Sequence, residues 1–121
     1  MKTILVVDDC KAEQKLISAL LQHAGYQAIA TDSAESALMW LQNNTKPDSI
    51  VLDVIMPGID GLDFCRQLRK MPEFEDIPIV FCSQKHRDLD KFWALRQGGN
   101  AYISKPFAPN ELVQVVEKYL N

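Results

Sequence analysis

The stretch Ile4-Leu5-Val6-Val7-Asp8-Asp9 is an unbroken apolar run stopped by two adjacent acids. A strand with one wet face alternates apolar and polar side chains, so a continuous run marks a strand buried on both faces, as in a parallel sheet. The same grammar recurs at Ser49-Ile50-Val51-Leu52, which runs into Asp53, and at Ile77-Pro78-Ile79-Val80-Phe81-Cys82, which runs into Ser83. Weaker runs occur at Gln27-Ala28-Ile29-Ala30 and Ala101-Tyr102-Ile103, which brings the predicted strands to five.

Between these runs the apolar spacing changes to the helical period. Leu16, Ile17, Leu20, Leu21 and Ala24 form one stripe; Ala34, Ala37, Leu38 and Leu41 form the next. Leu62, Cys65 and Leu68 follow, then Leu89, Phe92 and Leu95, and finally Leu112, Val115, Val116, Tyr119 and Leu120 in a helix that reaches the last residue, Asn121. Gly25, Gly61 and Gly98-Gly99 fall at helix ends or turns, Ser33 suits an N-cap, and Pro109 suits a first helical turn although Ala108 before it caps poorly. A strict (βα)₅ alternation with right-handed crossovers predicts an α/β fold, a doubly wound, flavodoxin-like, five-stranded parallel sheet. A closed βα barrel needs about eight strands. No linker interrupts the chain, so residues 1–121 read as one domain.

Composition excludes several functions. The 121 residues are 47% hydrophobic and 24% charged with net charge −3, ordinary for a soluble globular domain. Lys and Arg are scattered without a basic stripe, which argues against direct DNA binding. The apolar run after Met1-Lys2-Thr3 is too short for a signal peptide or a membrane span. Cys10, Cys65 and Cys82 lack paired spacing, which suits a reduced, cytoplasmic protein; Cys65 and Cys82 fall on apolar stripes, while Cys10 follows the acidic pair.

In doubly wound sheets function gathers beyond the carboxyl ends of the strands. Asp8 and Asp9 stand after the first strand, Asp53 after the third, Ser83 after the fourth and Lys105 after the fifth. Carboxylates gathered at one rim repel each other, and the natural neutraliser of an all-oxygen cluster is Mg²⁺ or Mn²⁺. Ser83 and Lys105 are donors suited to a tetrahedral anion, so the set describes a phosphoryl site. Serine has no histidine base here, which leaves a carboxylate as nucleophile, and Asp53 at the end of the central run is the best placed. The turn Val54-Ile55-Met56-Pro57-Gly58 can offer the Ile55 carbonyl to the metal beside Asp8 and Asp9.

With these pieces assembled, the chain resembles the receiver domain of two-component response regulators over its whole length, in the single-domain, CheY-like form. The resemblance rests on Asp8-Asp9, on Leu52-Asp53-Val54-Ile55-Met56-Pro57-Gly58-Ile59-Asp60-Gly61, on Ser83, and on Tyr102-Ile103-Ser104-Lys105-Pro106-Phe107. It implies that Asp53 accepts a phosphoryl group from a histidine kinase and that Asp8, Asp9, Asp53 and the Ile55 carbonyl hold Mg²⁺. Ser83 and Lys105 would hold the phosphoryl oxygens, and the Lys105-Pro106 bond would be cis. Ser83 and Tyr102 would switch the face of helix four, strand five and helix five toward a downstream effector or a histidine phosphotransfer protein. The output is expected to be contact with another protein, with no output domain after the receiver, as a monomer or weak dimer, with chemotaxis or pilus-based motility as the expected setting. The protein would be a phosphoacceptor rather than an enzyme. Alternatives are a pseudo-receiver that never takes phosphate, a phosphate sink or relay, and a haloacid-dehalogenase-like phosphatase, which would want an acid where Ile55 stands. Ile55 and Lys85 depart from common receiver patterns, and both are expected to border the path of the water that attacks the aspartyl phosphate. One of the neighbours Phe92 and Trp93 is expected to reach the output surface; a buried place is favoured for Trp93, and Trp40 is ambiguous.

Overall fold

Each apolar run becomes a strand and each periodic segment a helix. The computed structural model describes residues 1–120; the last helix stops at Lys118, short of the end at Asn121 expected from the sequence, and Asn121 itself lies outside the described residues. The elements are β1 (Thr3–Val7), α1 (Lys11–His23), β2 (Gln27–Thr31), α2 (Ala34–Asn43), β3 (Ser49–Leu52), α3 (Gly61–Arg69), β4 (Ile79–Ser83), α4 (Asp88–Arg96), β5 (Ala101–Ser104) and α5 (Pro109–Lys118). The strands form one parallel sheet in the order β2-β1-β3-β4-β5.

Strand periodicity explains why the runs are unbroken. Successive side chains point to opposite faces. Leu5, Val7, Ile50, Leu52, Ile79 and Phe81 enter a core shared with α2, α3 and Ala94 of α4, whereas Ile4, Val6, Val51, Val80, Cys82 and Ile103 enter a core shared with α1 and α5. Each such buried side chain contributes roughly 1.5–3 kcal/mol of transfer free energy, so both faces hold the helices. Register then aligns the strand ends: Val7 pairs with Leu52 and Leu52 with Phe81, which sets Asp8 and Asp53 side by side just past the sheet.

Local sequence starts the helices as read. Ser33 Oγ accepts from the Ser36 N–H at 3.0 Å, Asp60 caps α3 from its side chain, and Pro109 occupies the first turn of α5 behind an uncapped Ala108. Gly61 is required for close approach, because a Cβ there would lie 2.0 Å from the Asp53 carbonyl oxygen. The start of α3 is thereby pressed against the backbone of the central strand end.

Two helical stripes and one strand boundary differ from expectation. In α4 the predicted inward residues Leu89, Phe92 and Leu95 are 56%, 49% and 45% exposed, and Trp93 is 49% exposed. The buried residue is Ala94, and its small side chain together with Gly99, whose Cβ would meet the Phe81 ring, lets α4 sit close to the sheet. Both aromatics therefore stand half in solvent rather than one inside, edge to face with centroids 5.4 Å apart, while Trp40 packs partly buried against the core. In α1 the exposed residue is Leu16, and Gln14 takes the inward place one turn before Ile17. Ile77 is buried but precedes the strand, which starts at Ile79 because Pro78 has no N–H for the ladder. Among the described residues no helix is long and apolar enough to cross a membrane.

Candidate functional site

The ends of β1, β3 and β5 bring Asp8, Asp9, Asp53 and Lys105 together. Carboxylate oxygens of Asp8, Asp9 and Asp53 all lie within 4.8 Å of one another. Lys105 Nζ donates to Asp8 Oδ2 at 2.7 Å and stands 3.6 Å from Asp53 Oδ2. Its backbone is fixed by the ladder, since the Lys105 N–H donates to the Ser83 carbonyl at 2.8 Å, and the Lys105-Pro106 bond is cis. Asp8 is buried and accepts through Oδ1 from the Cys10 N–H at 2.9 Å, while Asp53 Oδ1 accepts from the Ile55 N–H at 3.3 Å. Gln14 Nε2 donates to the carbonyls of Asp8 and Thr31, at 2.6 and 3.0 Å, and so ties the first turns of α1 to the ends of β1 and β2.

Burial pushes the Asp53 carboxyl up from its ordinary value; Lys105 opposes this, and the Asp8 charge adds to it. Burial acts on Lys105 in the opposite sense, but the hydrogen bond to Asp8 and the charges of Asp53 and Asp8 overcome it and leave the ammonium raised. Three carboxylates against one ammonium leave uncompensated negative charge in a partly desolvated place. That donor set, all oxygen and net anionic, fits a hard divalent cation such as Mg²⁺ or Mn²⁺.

A cavity of about 230 Å³ opens over Asp53, lined by Asp9, Cys10, Glu13, Ile55, Gln84 and Lys105. Two expected residues stand elsewhere. Ser83 is fully buried, and its hydroxyl accepts from the Lys85 N–H at 3.3 Å. Lys85 does not line the Asp53 cavity; it lines a separate one of about 180 Å³ with Val54, Leu62, Asp90, Trp93 and Tyr102. Tyr102 is half-buried against the core, and its hydroxyl donates to the Lys85 carbonyl at 2.6 Å. Cys65 and Cys82 are buried among apolar side chains, which pushes their thiols up to about 11 and about 12, whereas Cys10 is exposed at the cavity.

A family model described as the response regulator receiver domain matches residues 4–117. The chain belongs to this family. The receiver is 32% identical over 120 residues to Protein PilH of Pseudomonas aeruginosa, covering 99% of this chain and 98% of PilH. Its backbone matches the chemotaxis protein CheY4 of Vibrio cholerae with a TM-score of 0.91 at 28% identity over 99% of both chains. It also matches a Mn²⁺-bound form of the response regulator Rcp1, with a TM-score of 0.82 at 25% identity over 98% of this chain and 91% of that one. Other curated relatives are transcriptional regulators of which the receiver spans only 45–48%.

Three residues of the receiver's site escaped the sequence reading. Gln14 shares a helix face with Ile17 and Leu21, but a count of apolar residues passes over a glutamine. Glu13 and Gln84 line the Asp53 cavity, and no local pattern distinguishes a cavity-facing polar residue from a solvated one.

Proposed function

We propose that the receiver accepts a phosphoryl group on Asp53 from the phosphohistidine of a histidine kinase and passes the signal on by contact with a partner protein. The observation that carries this reading is the convergence of three carboxylates with Lys105 Nζ bridging Asp8 and Asp53.

An Asp53 oxygen attacks the donor's phosphorus, the phosphorus–nitrogen bond breaks, and the donor imidazole departs. Lys105 carries positive charge to the phosphoryl oxygens, and Asp8, by anchoring that ammonium, keeps it aimed at Asp53. No general base is needed, since the nucleophile is a carboxylate rather than a hydroxyl, so the residues act by positioning and electrostatics. Asp8, Asp9, Asp53 and the Ile55 carbonyl would hold Mg²⁺, with Mn²⁺ as a substitute; when bound, the ion offsets charge on the phosphoryl oxygens. The chain is thus a self-modifying phosphoacceptor in the cytoplasm rather than a turnover enzyme.

Ser83 and Tyr102 serve as the switch in this reading. Both are tied to one residue: Ser83 Oγ accepts from the Lys85 N–H, and the Tyr102 hydroxyl donates to the Lys85 carbonyl. Recruiting Ser83 to a phosphoryl oxygen would release the Lys85 N–H and shift the grip of Tyr102 on the loop that leads into α4. The half-exposed apolar side chains of α4 support the face of α4, β5 and α5 as the output surface. Likeness to PilH and CheY4 supports a role in pilus-based or chemotactic motility. Incubation with acetyl phosphate and Mg²⁺ followed by intact mass spectrometry is expected to give a phosphoryl adduct, lost in EDTA and in Asp53→Asn. An adduct that persists in Asp53→Asn, or none in the parent, overturns the reading.

A further inference from the structure

We propose that Gln84 is a positioning residue that orients the water which hydrolyses the aspartyl phosphate, and so sets the lifetime of the signal. This rests on Asp53 being the phosphoacceptor.

The cavity over Asp53 decides the matter by what its walls offer. A water attacking phosphorus must keep a lone pair aimed at that atom while its hydrogens are held by an acceptor. Ile55 brings no polar side chain, and a thiol such as that of Cys10 is a weak donor and a weak acceptor. Lys105 is engaged by Asp8 and Asp53 and has no acceptor to give. Asp9 and Glu13 are carboxylates, whose charge repels a phosphoryl group. Gln84 is exposed, follows the buried Ser83, and lines both this cavity and a neighbouring one of about 360 Å³ that shares Glu13 and Lys105 with it. Among the lining residues its carboxamide is the neutral group that both donates and accepts strongly. Sequence position points to Lys85 as the modulator at this strand end, but Lys85 belongs to the cavity of Trp93 and Tyr102.

In the step itself the water oxygen bonds to phosphorus and the phosphorus–Oδ bond of Asp53 breaks. Its electron pair restores the carboxylate, and the water's proton leaves with inorganic phosphate. Gln84 neither gives nor takes a proton; its carbonyl oxygen holds one water hydrogen.

The test loads the parent, Gln84→Ala, Gln84→Asn and Glu13→Gln with acetyl phosphate and Mg²⁺, removes the donor, and follows loss of the phosphoryl mass. Gln84→Ala is expected to lengthen the lifetime three- to tenfold, and Gln84→Asn to lie between it and the parent. Hydroxylamine supplies the readout that a merely structural role would not separate, because it cleaves an acyl phosphate at the carboxyl carbon without using the oriented water. Its cleavage rate should be the same in parent and Gln84→Ala. An unchanged or shortened lifetime in Gln84→Ala overturns the proposal, as does an equal change in the hydroxylamine reaction, or a lengthened lifetime in Glu13→Gln but not in Gln84→Ala. Failure of the parent to load would instead refute Asp53 as acceptor.

Discussion

Lys105 stands between two carboxylates that would otherwise repel each other out of contact with bulk water. Removing one partner of such a buried group costs about 3–5 kcal/mol, so Lys105→Met is expected to lower urea stability markedly at neutral pH. The raised ammonium sets the sign of the pH dependence: its contribution is complete below the ordinary lysine value and is lost as pH rises through the higher folded value. The gap between parent and Lys105→Met, measured by urea unfolding, should therefore stay flat to about pH 10 and narrow above it. Asp53 behaves oppositely. Its folded carboxyl is raised, so the fold favours the neutral form and ionisation destabilises. In EDTA, Asp53→Asn is expected to be more stable than the parent at pH 7. That gap should be absent below the ordinary carboxylate value and grow as pH rises through the window up to the folded one.

At the scale of elements, two helices are held by the smallness of a residue. Gly61 lets α3 begin against the Asp53 carbonyl, and an added methyl has only backbone to meet. Gly61→Ala is expected to cost at least about 1–3 kcal/mol and to weaken divalent-cation binding, read by urea unfolding and by a cation titration of Trp fluorescence. In α4 the small buried residue is Ala94, and the large ones face out. Ala94→Leu should destabilise by about 1–3 kcal/mol, while Phe92→Ala and Trp93→Ala should each cost under about 1 kcal/mol, because a half-exposed ring loses only part of its burial energy. If the aromatics prove costlier than Ala94→Leu, the packing of α4 described above is wrong. Periodicity alone could not place this helix. Leu89, Phe92 and Leu95 carry a helical stripe, but its direction depends on how near the helix can approach the sheet, and that depends on Ala94, Gly99 and Phe81 together.

Across the whole molecule, site and fold share one free energy. The acidic cluster forms only when β1 and β3 pair in register, so a cation that binds it stabilises the folded chain and not the unfolded one. At a free Mg²⁺ concentration a hundredfold above its Kd this linkage amounts to about 2.7 kcal/mol. Thermal unfolding of the parent should shift upward with Mg²⁺, and by much less in a variant lacking Asp8 and Asp53.

The sequence alone set the succession of strands and helices, the parallel sheet, and the three strand ends at which Asp8, Asp9, Asp53 and Lys105 meet. It could do so because burial on both faces leaves an unbroken apolar run, and a charge that ends such a run marks where the sheet reaches solvent. Both signals are written in adjacent residues. Only the tertiary structure decided that Ser83 lies buried while Gln84 lines the Asp53 cavity, that Lys85 belongs with Trp93 and Tyr102, that Gln14 holds the strand ends from inside, and that α4 turns its bulky side chains outward. Those outcomes depend on which neighbour from a distant part of the chain fills the adjoining space, and packing of that kind leaves no pattern within the segment itself.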